Sequence, residues 1–300
     1  YLLIFCGVIF CLYISYSVVK YRKMASLAEQ IDRILHGEEL QIMEHCCEGE
    51  FAVLATSIDK MVQRMLEQQS ILQKEKVILA DSMVDISHQM KTPLTSISLL
   101  LNLLQEEHLS EKKRLQYVQD LMKLTGRIDW MVYALLRLAK LDAGTVQLQQ
   151  IPYQIEDLIK AAVTPLEIAL DIRDITLEVQ MQPDLQHRGD ISWMTEAVSN
   201  VLKNCMEHTP SGGHIRIVTK DNPLYLLIKI TDSGSGFTKQ DLPHIFERFY
   251  RGQNADTDSV GIGLALAKRI IIAQNGTIRA YNHKKDGGAV FEIRMYKGAV

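Results

Sequence analysis

The 300-residue sequence has no surplus of positive charge: 33 Lys and Arg stand against 36 Asp and Glu, a net of −3 at pH 7. Charge therefore argues against nucleic acid as a direct partner, since phosphate backbones are bound by clustered cations. Cysteine is scarce, and its spacing fits neither a zinc site nor a disulfide framework. Cys6 and Cys11 lie in an apolar run, Cys46 and Cys47 are adjacent, and Cys205 stands alone. His45-Cys46-Cys47 invites comparison with metal or redox sensors, but no second ligand cluster accompanies it. A surface connector with incidental thiols is the better reading. Internal repeats and low-complexity tracts are missing as well.

One absence is informative in itself. Tyr1 to Val19 contains no charged residue and is followed by Lys20, Arg22 and Lys23. At 1.5 Å per residue this run reaches about 28 Å, close to the thickness of a bilayer core. The basic residues after it place the C-terminal side in the cytoplasm and the chain at the cell membrane. A signal peptide is disfavoured, because there is no basic n-region and no small-residue cleavage site. The chain starts without Met, so a fragment is expected, with an extracellular sensor and an earlier span upstream.

Three hundred residues allow about two domains, and the texture is α+β. Met24 to about Leu35 reads as a short amphipathic helix that Gly37 breaks. After a polar connector, a second helix starts near Glu50 and runs to about Glu106. Its apolar seam passes through Ile58, Val62, Met65, Leu72, Leu79, Met83, Ile86, Met90, Ile97, Leu100 and Leu104, a coiled-coil spacing. Pro93 is compatible with a kinked helix. The turn Glu107-His108-Leu109-Ser110 leads into a third helix that Gly144 stops, with an apolar face of Leu115, Val118, Met122, Val132, Leu135 and Leu138. Two apolar faces on one hairpin imply a four-helix bundle formed by two chains. From Ile151 the reading is α/β. Helices are expected over Ile155–Ile172, Trp193–His208 and Ile262–Gln274, and strands over Ile175–Met181, Ile215–Lys220 and Tyr225–Thr231. Two further strands centre on Ile278 and Phe291. The divisions are thus a transmembrane helix (1–19), a linker and coiled coil (20–78), a helical hairpin (79–146) and an α/β domain (150–300).

If Ile86 and Met90 face inward, His88 faces outward, sharing its surface with Asp85, Thr92 and Thr95. An imidazole displayed on a rigid helix is placed to be visited by another domain. In the α/β domain, Asn200 and Asn204 are spaced i, i+4 on one helix face, and amide oxygens suit Mg²⁺. Asp232-Ser233-Gly234-Ser235-Gly236 ends a strand, where a carboxylate can accept from an exocyclic amine and glycines admit a flat base. Val260-Gly261-Ile262-Gly263-Leu264 opens a helix whose free amides favour phosphate. It is neither a Walker loop, since no Gly-Lys-Ser/Thr follows, nor a dinucleotide fingerprint. Between them lies Phe246-Glu247-Arg248-Phe249-Tyr250-Arg251, with aromatics to anchor a lid and arginines to reach phosphates. Each motif alone is weak; a lone asparagine pair is usually surface decoration.

Taken in order after an outward helix histidine, these motifs resemble those of the bacterial sensor histidine kinases, with their H, N, G1, F and G2 boxes and a closing Gly287-Gly288 hairpin. The resemblance covers about residues 80–297. The two short helices before it resemble a HAMP signal-relay module without its early proline, a generic juxtamembrane coiled coil being the alternative. The resemblance implies a dimeric hairpin followed by a Bergerat-type α/β two-layer sandwich that binds Mg-ATP. His88 would be the phosphoacceptor. Asn204 would hold Mg²⁺, with Asn200 orienting water or phosphate, and Asp232 would read the adenine amine. Gly234, Gly236, Gly261, Gly263 and Leu264 would shape the pocket, Phe246 the lid, and Arg251 would meet the terminal phosphates. The partners implied are a second copy of the chain and a response regulator whose aspartate accepts the phosphoryl group in trans.

Two departures stand out. Most relatives carry Glu or Asp after the histidine where this chain has Gln89, which accepts a hydrogen bond but takes no proton; Asp85 is the candidate substitute. Glu207 and His208 stand where lysine and tyrosine are frequent. Thr92 holds the position that orients water for dephosphorylating the regulator, with an ordinary helix-surface threonine as the alternative. Two other classes compete with the kinase: an ATP-gated scaffold in which His88 is idle, and a chaperone or DNA-repair ATPase. The membrane span and the histidine-bearing helix speak against the second.

Overall fold

The computed structural model describes residues 1–35, 50–106, 109–252, 260–283 and 287–297. They divide into two compact units, Tyr1–Asp81 and Ser82–Val300. The first unit contains α1 (Leu2–Leu35). Its segment Ile4–Ser26 is long and apolar enough to cross a membrane, with a mean hydropathy of 1.7. The expected span and the amphipathic stretch after it are one unbroken helix, because no proline intervenes and Lys and Arg are good helix formers. The connector with Gly37 and His45-Cys46-Cys47, and Glu107-His108 of the later turn, lie outside the described residues.

Helix α2 (Glu50–Leu104) passes from the first unit into the second and continues through Pro93. Around that proline, side-chain hydroxyls serve backbone carbonyls one turn back. Thr92 Oγ1 donates to His88 O at 3.3 Å, Thr95 Oγ1 to Lys91 O at 2.9 Å and Ser96 Oγ to Thr92 O at 3.2 Å. Pro93 itself is buried, and the coiled-coil seam is mixed: Met65, Leu72 and Met83 are 42%, 58% and 56% exposed, Ile58, Ile86, Met90, Ile97, Leu100 and Leu104 are half-buried, and Val62 is buried.

Helix α3 (Glu111–Asp142) has Ser110 at its N-cap without a side-chain capping bond. Its apolar face matches the expected one only in its C-terminal half, where Leu138 is buried and Leu135 half-buried. Met131, Ala134, Leu138 and Leu141 are buried, while Leu115, Val118, Met122 and Val132 remain exposed. The helix serves two neighbours. Its second half packs on the α/β domain, chiefly α7, and its first half keeps an uncovered apolar stripe.

The α/β domain begins with β1 (Ile151–Gln154) and α4 (Ile155–Val163). The helix expected to run to Ile172 breaks at a 3₁₀ turn, Thr164–Leu166, and resumes as α5 (Glu167–Ile172). Pro165 is the cause, since it has no amide to donate and clashes with the preceding turn. Then come β2 (Thr176–Gln180), β3 (Gln186–Gly189) and α6 (Ile191–His208). Helix α6 starts two residues before the expected Trp193 because Asp190 caps it, accepting from the Ser192 and Trp193 amides. After β4 (His214–Asp221) and β5 (Tyr225–Asp232) follow α7 (Gly263–Ala273), β6 (Gly276–Asn282) and β7 (Ala289–Tyr296).

The main sheet has strand order β2-β4-β5-β7-β6, parallel only between β2 and β4; β1 and β3 form a separate antiparallel pair. One face of the sheet supplies the core. Ile217, Leu226, Ile228, Ile230, Phe291 and Ile293 are fully buried, as are Met194, Val198, Val201 and Ile270 from the helices. Alternation along β5 buries Leu226, Ile228, Ile230 and then Asp232, so a carboxylate ends the same inward row.

His187 on β3 is 8% exposed and packs edge-on to Tyr153 at 6.0 Å between ring centres. Burial, and then the charge of Lys297, hold its imidazole below the ordinary pKa. Below the ordinary histidine pKa of about 6.5 the unfolded chain takes up the proton more readily than the folded one. Stability is therefore expected to be complete above that value and to fall as pH drops through the window beneath it. Denaturation of the wild type and His187→Gln between pH 7 and 5 checks this. The variant's stability should decline less over that interval.

Candidate active site

One cavity of about 740 Å³ opens beside α6 and α7. The last residue of β5, buried Asp232, lines it and accepts from the amides of Gly234 (2.9 Å) and Ala289 (3.0 Å) through Oδ1. These two bonds fix the carboxylate at the cavity wall. Cys205 of α6 is buried against it; burial first, and then Asp232, push its thiol well above the usual range.

The i, i+4 pair of α6 lines the cavity, while the adjoining stripe of Ala197, Val201 and Cys205 is buried in the core. Asn200 Nδ2 donates to Glu196 O at 3.0 Å, which turns its amide oxygen toward α7. A Cβ on Gly263 would lie 3.2 Å from that oxygen, so glycine keeps the space between helix α7's first turn and Asn200 open. Gly261 has φ +73°, and a Cβ there would sit 2.5 Å from the carbonyl oxygen of Tyr250; glycine alone tolerates this turn. It brings the N-terminus of α7, with its unpaired amides, to the cavity edge. Amide oxygens on a concave wall beside such a helix end suit a hard divalent ion that shares phosphate oxygens, so the donor set fits Mg²⁺.

Of the residues singled out by sequence, Asn200, Asn204, Asp232, Gly236, Arg251, Gly261, Gly263 and Leu264 line this cavity. Gly234 sits behind it, its amide spent on Asp232. Phe246 stands outside the lining too; it packs edge-on to Phe291 at 6.5 Å with Lys268 Nζ over its ring at 5.4 Å, anchoring the lid segment to the core. His88 and Thr92 are exposed on α2 and Gln89 is half-buried; none of the three touches the cavity. Among the described residues of α2, Ser96 does, about 12 Å along the helix from His88 at 1.5 Å per residue.

Sequence reasoning did not find the contribution of α3, whose Lys123, Arg127 and Trp130 also line the cavity. Nor did it find Asp241, which accepts from Tyr250 Oη at 2.7 Å and tethers the lid next to Arg251. The hairpin and the α/β domain meet through charged contacts. Arg137 lies over the Trp193 ring at 3.9 Å and pairs with Glu196 at 3.1 Å. Burial raises the Glu196 carboxyl above its usual pKa even though Arg137 and Tyr133 pull the other way. At the end of α3, Asp142 receives Arg248 from the lid and Arg269 from α7, the latter at 2.7 Å.

An antiparallel-rich sheet backed by helices, with a buried carboxylate, an asparagine pair and a helix end around one cavity, defines a nucleotide-binding sandwich. Residues 189–298 match the family described as histidine kinase-, DNA gyrase B- and HSP90-like ATPase, and residues 81–144 match the His Kinase A (phospho-acceptor) domain. Among curated relatives, the heme sensor protein HssS of Staphylococcus saprophyticus is 27% identical over 99% of this chain and 62% of its own length. The sensor protein SphS of Synechococcus elongatus is 32% identical over 70% of this chain and 53% of its own. The chain thus spans between about half and two thirds of these relatives. A solved structure of histidine kinase ThkA in complex with response regulator protein TrrA shares the fold, with a TM-score of 0.62 at 18% identity over 78% of this chain and 66% of that one. This chain belongs to the sensor histidine kinases.

Proposed function

We propose that the chain is an ATP-dependent protein-histidine kinase, with His88 as the phosphoacceptor. The observation that carries this is an exposed imidazole on the hairpin, in the same folded unit as a cavity walled by Asn200, Asn204, Asp232 and the start of α7. Asp232 reads the adenine amine, and the amides opening α7, with Arg251, hold the phosphates. Asn204, with Asn200 beside it, would hold Mg²⁺, which would supply charge neutralisation. The lone-pair nitrogen of neutral His88 attacks the γ-phosphorus in line; the N–P bond forms as the bond to the ADP oxygen breaks. The ring's other N–H needs an acceptor as positive charge develops. The phosphoryl group then passes to an aspartate of a response regulator in trans. Thr92 takes part in the reverse duty, dephosphorylation of that regulator, once its hydroxyl turns away from His88 O.

The active form is a homodimer, supported by the exposed Met65, Leu72 and Met83 on the α2 seam and by Leu115, Val118 and Met122 of α3, at 56%, 42% and 71% exposure. The apolar α1 and the basic cluster after it support a membrane protein with its kinase domains on the cytoplasmic side. Incubation of the full chain with γ-labelled ATP and Mg²⁺ tests the proposal. An acid-labile, base-stable adduct is expected. Nucleotide hydrolysis with no retained label would instead favour an idle-histidine scaffold or a plain ATPase.

Asp85 is exposed on the His88 face, one turn back, and among the described side chains it is the carboxylate placed to assist the ring. Asp85→Asn is expected to slow label uptake by about tenfold, below the usual range of acid–base assistance because Gln89 still accepts a hydrogen bond. Gln89→Glu is expected to restore the rate in that background. Initial rates of autophosphorylation check both, and an unchanged Asp85→Asn rate removes Asp85 from the mechanism.

A further inference from the structure

The nucleotide cavity is completed by a helix from outside the sandwich. Asp120, Lys123, Arg127 and Trp130 of α3 follow one another at three- and four-residue steps, a single stripe facing inward, and all four line the cavity. Counting charges on the lining makes their role specific. Among the described residues the sandwich itself contributes Lys203 and Arg251 against Glu207, Asp232 and Asp241, two positive and three negative, for a net of −1. Helix α3 contributes Lys123 and Arg127 against Asp120, a net of +1.

Lys203, moreover, is engaged close by: Glu207 lies 4.0 Å away and the Trp130 ring 5.2 Å away. A polyphosphate led to the start of α7 therefore meets a sandwich wall that is acidic overall. The surplus of positive charge in its surroundings lies on the hairpin.

We propose that Lys123 and Arg127 of α3 are polyphosphate-binding residues, so that bound ATP bridges the sandwich and the hairpin; this rests on the reading of the cavity as a nucleotide site. The bridge has a mechanistic consequence. The cavity touches α2 at Ser96, away from His88, so ATP held by Lys123 and Arg127 stabilises a resting arrangement. Transfer requires the loaded lobe to leave these two cations and move along the stalk.

The experiment measures equilibrium competition of Mg-ATP and of AMP for the full chain, comparing wild type with Lys123→Gln, Arg127→Gln and Asp120→Asn. Loss of each cation is expected to weaken ATP by about tenfold, the worth of one charge-assisted hydrogen bond, while AMP shifts less than about twofold. Lys123→Arg should retain ATP affinity. Asp120→Asn should tighten ATP, a direction that damage to the fold cannot mimic. Equal weakening of ATP and AMP in the cation variants, or ATP affinity unchanged in all three, overturns the proposal. Failure of the wild type to bind either nucleotide would instead overturn the nucleotide site itself.

Discussion

His88→Ala is expected to retain no label from γ-labelled ATP, a loss of about a thousandfold or more, as when an enzyme loses its nucleophile. The substitution is conservative everywhere except in chemistry. His88 is exposed, its side chain makes no contact with the cavity, and alanine is the best helix former. Affinity for Mg-ATP should therefore stay within about twofold of the wild type, and the helical circular dichroism should be unchanged. The backbone carbonyl of residue 88 still accepts from Thr92, so the hydroxyl ladder beside Pro93 survives. Measuring label and nucleotide affinity on one sample separates an absent acceptor from an empty site. Label persisting in the variant would place the acceptor on another of the chain's nine histidines.

Asp232→Asn should do the converse: bind ATP at least about tenfold more weakly while leaving the fold intact. An asparagine oxygen can still accept from the Gly234 and Ala289 amides, so the bonds that close this end of the sheet remain. What changes is the rest of the group. A carboxylate oxygen that accepts from an adenine amine becomes an NH₂ that opposes it, and a lost hydrogen bond to a charged group is worth about 1.5–3 kcal/mol. Guanine presents an oxygen where adenine presents the amine. Preference for ATP over GTP should therefore fall together with affinity. Asp232→Ala is a harsher test, because two buried amides lose their acceptor at a cost of about 1–3 kcal/mol each. Competition binding and thermal melting of both variants distinguish recognition from scaffolding.

Local chemistry explains which parts of this molecule were readable in advance. The i, i+4 asparagines, the strand ending in Asp232 and the glycines before α7 lie within short stretches, and period alone puts them on one face or at one terminus. The outward placement of His88 followed from the seam positions Ile86 and Met90 in the same way. Where the reading missed, a visible signal was overridden or the contact was remote. Pro165 lay in plain view inside an expected helix, and Asp190 was an available cap. Strands β1 and β3 have only four residues each, with Gln, His and Arg among them, too short and polar for alternation to register. Lys123, Arg127 and Trp130 are unlike any of these. Their role arises when α3 packs on the α/β domain, pairing residues some 70 or more positions apart, such as Trp130 with Lys203. No local pattern encodes that.

Cys205 offers an unplanned instrument. Its thiol is sealed between α6 and the sheet and kept protonated, so a disulfide reagent in solvent reaches it only when the sandwich breathes. In a chain whose other four cysteines are serine, the modification rate becomes a clock for opening of the Asp232 end of the cavity. ATP should slow that clock and its removal quicken it, giving lobe dynamics a readout that needs no phosphorylation.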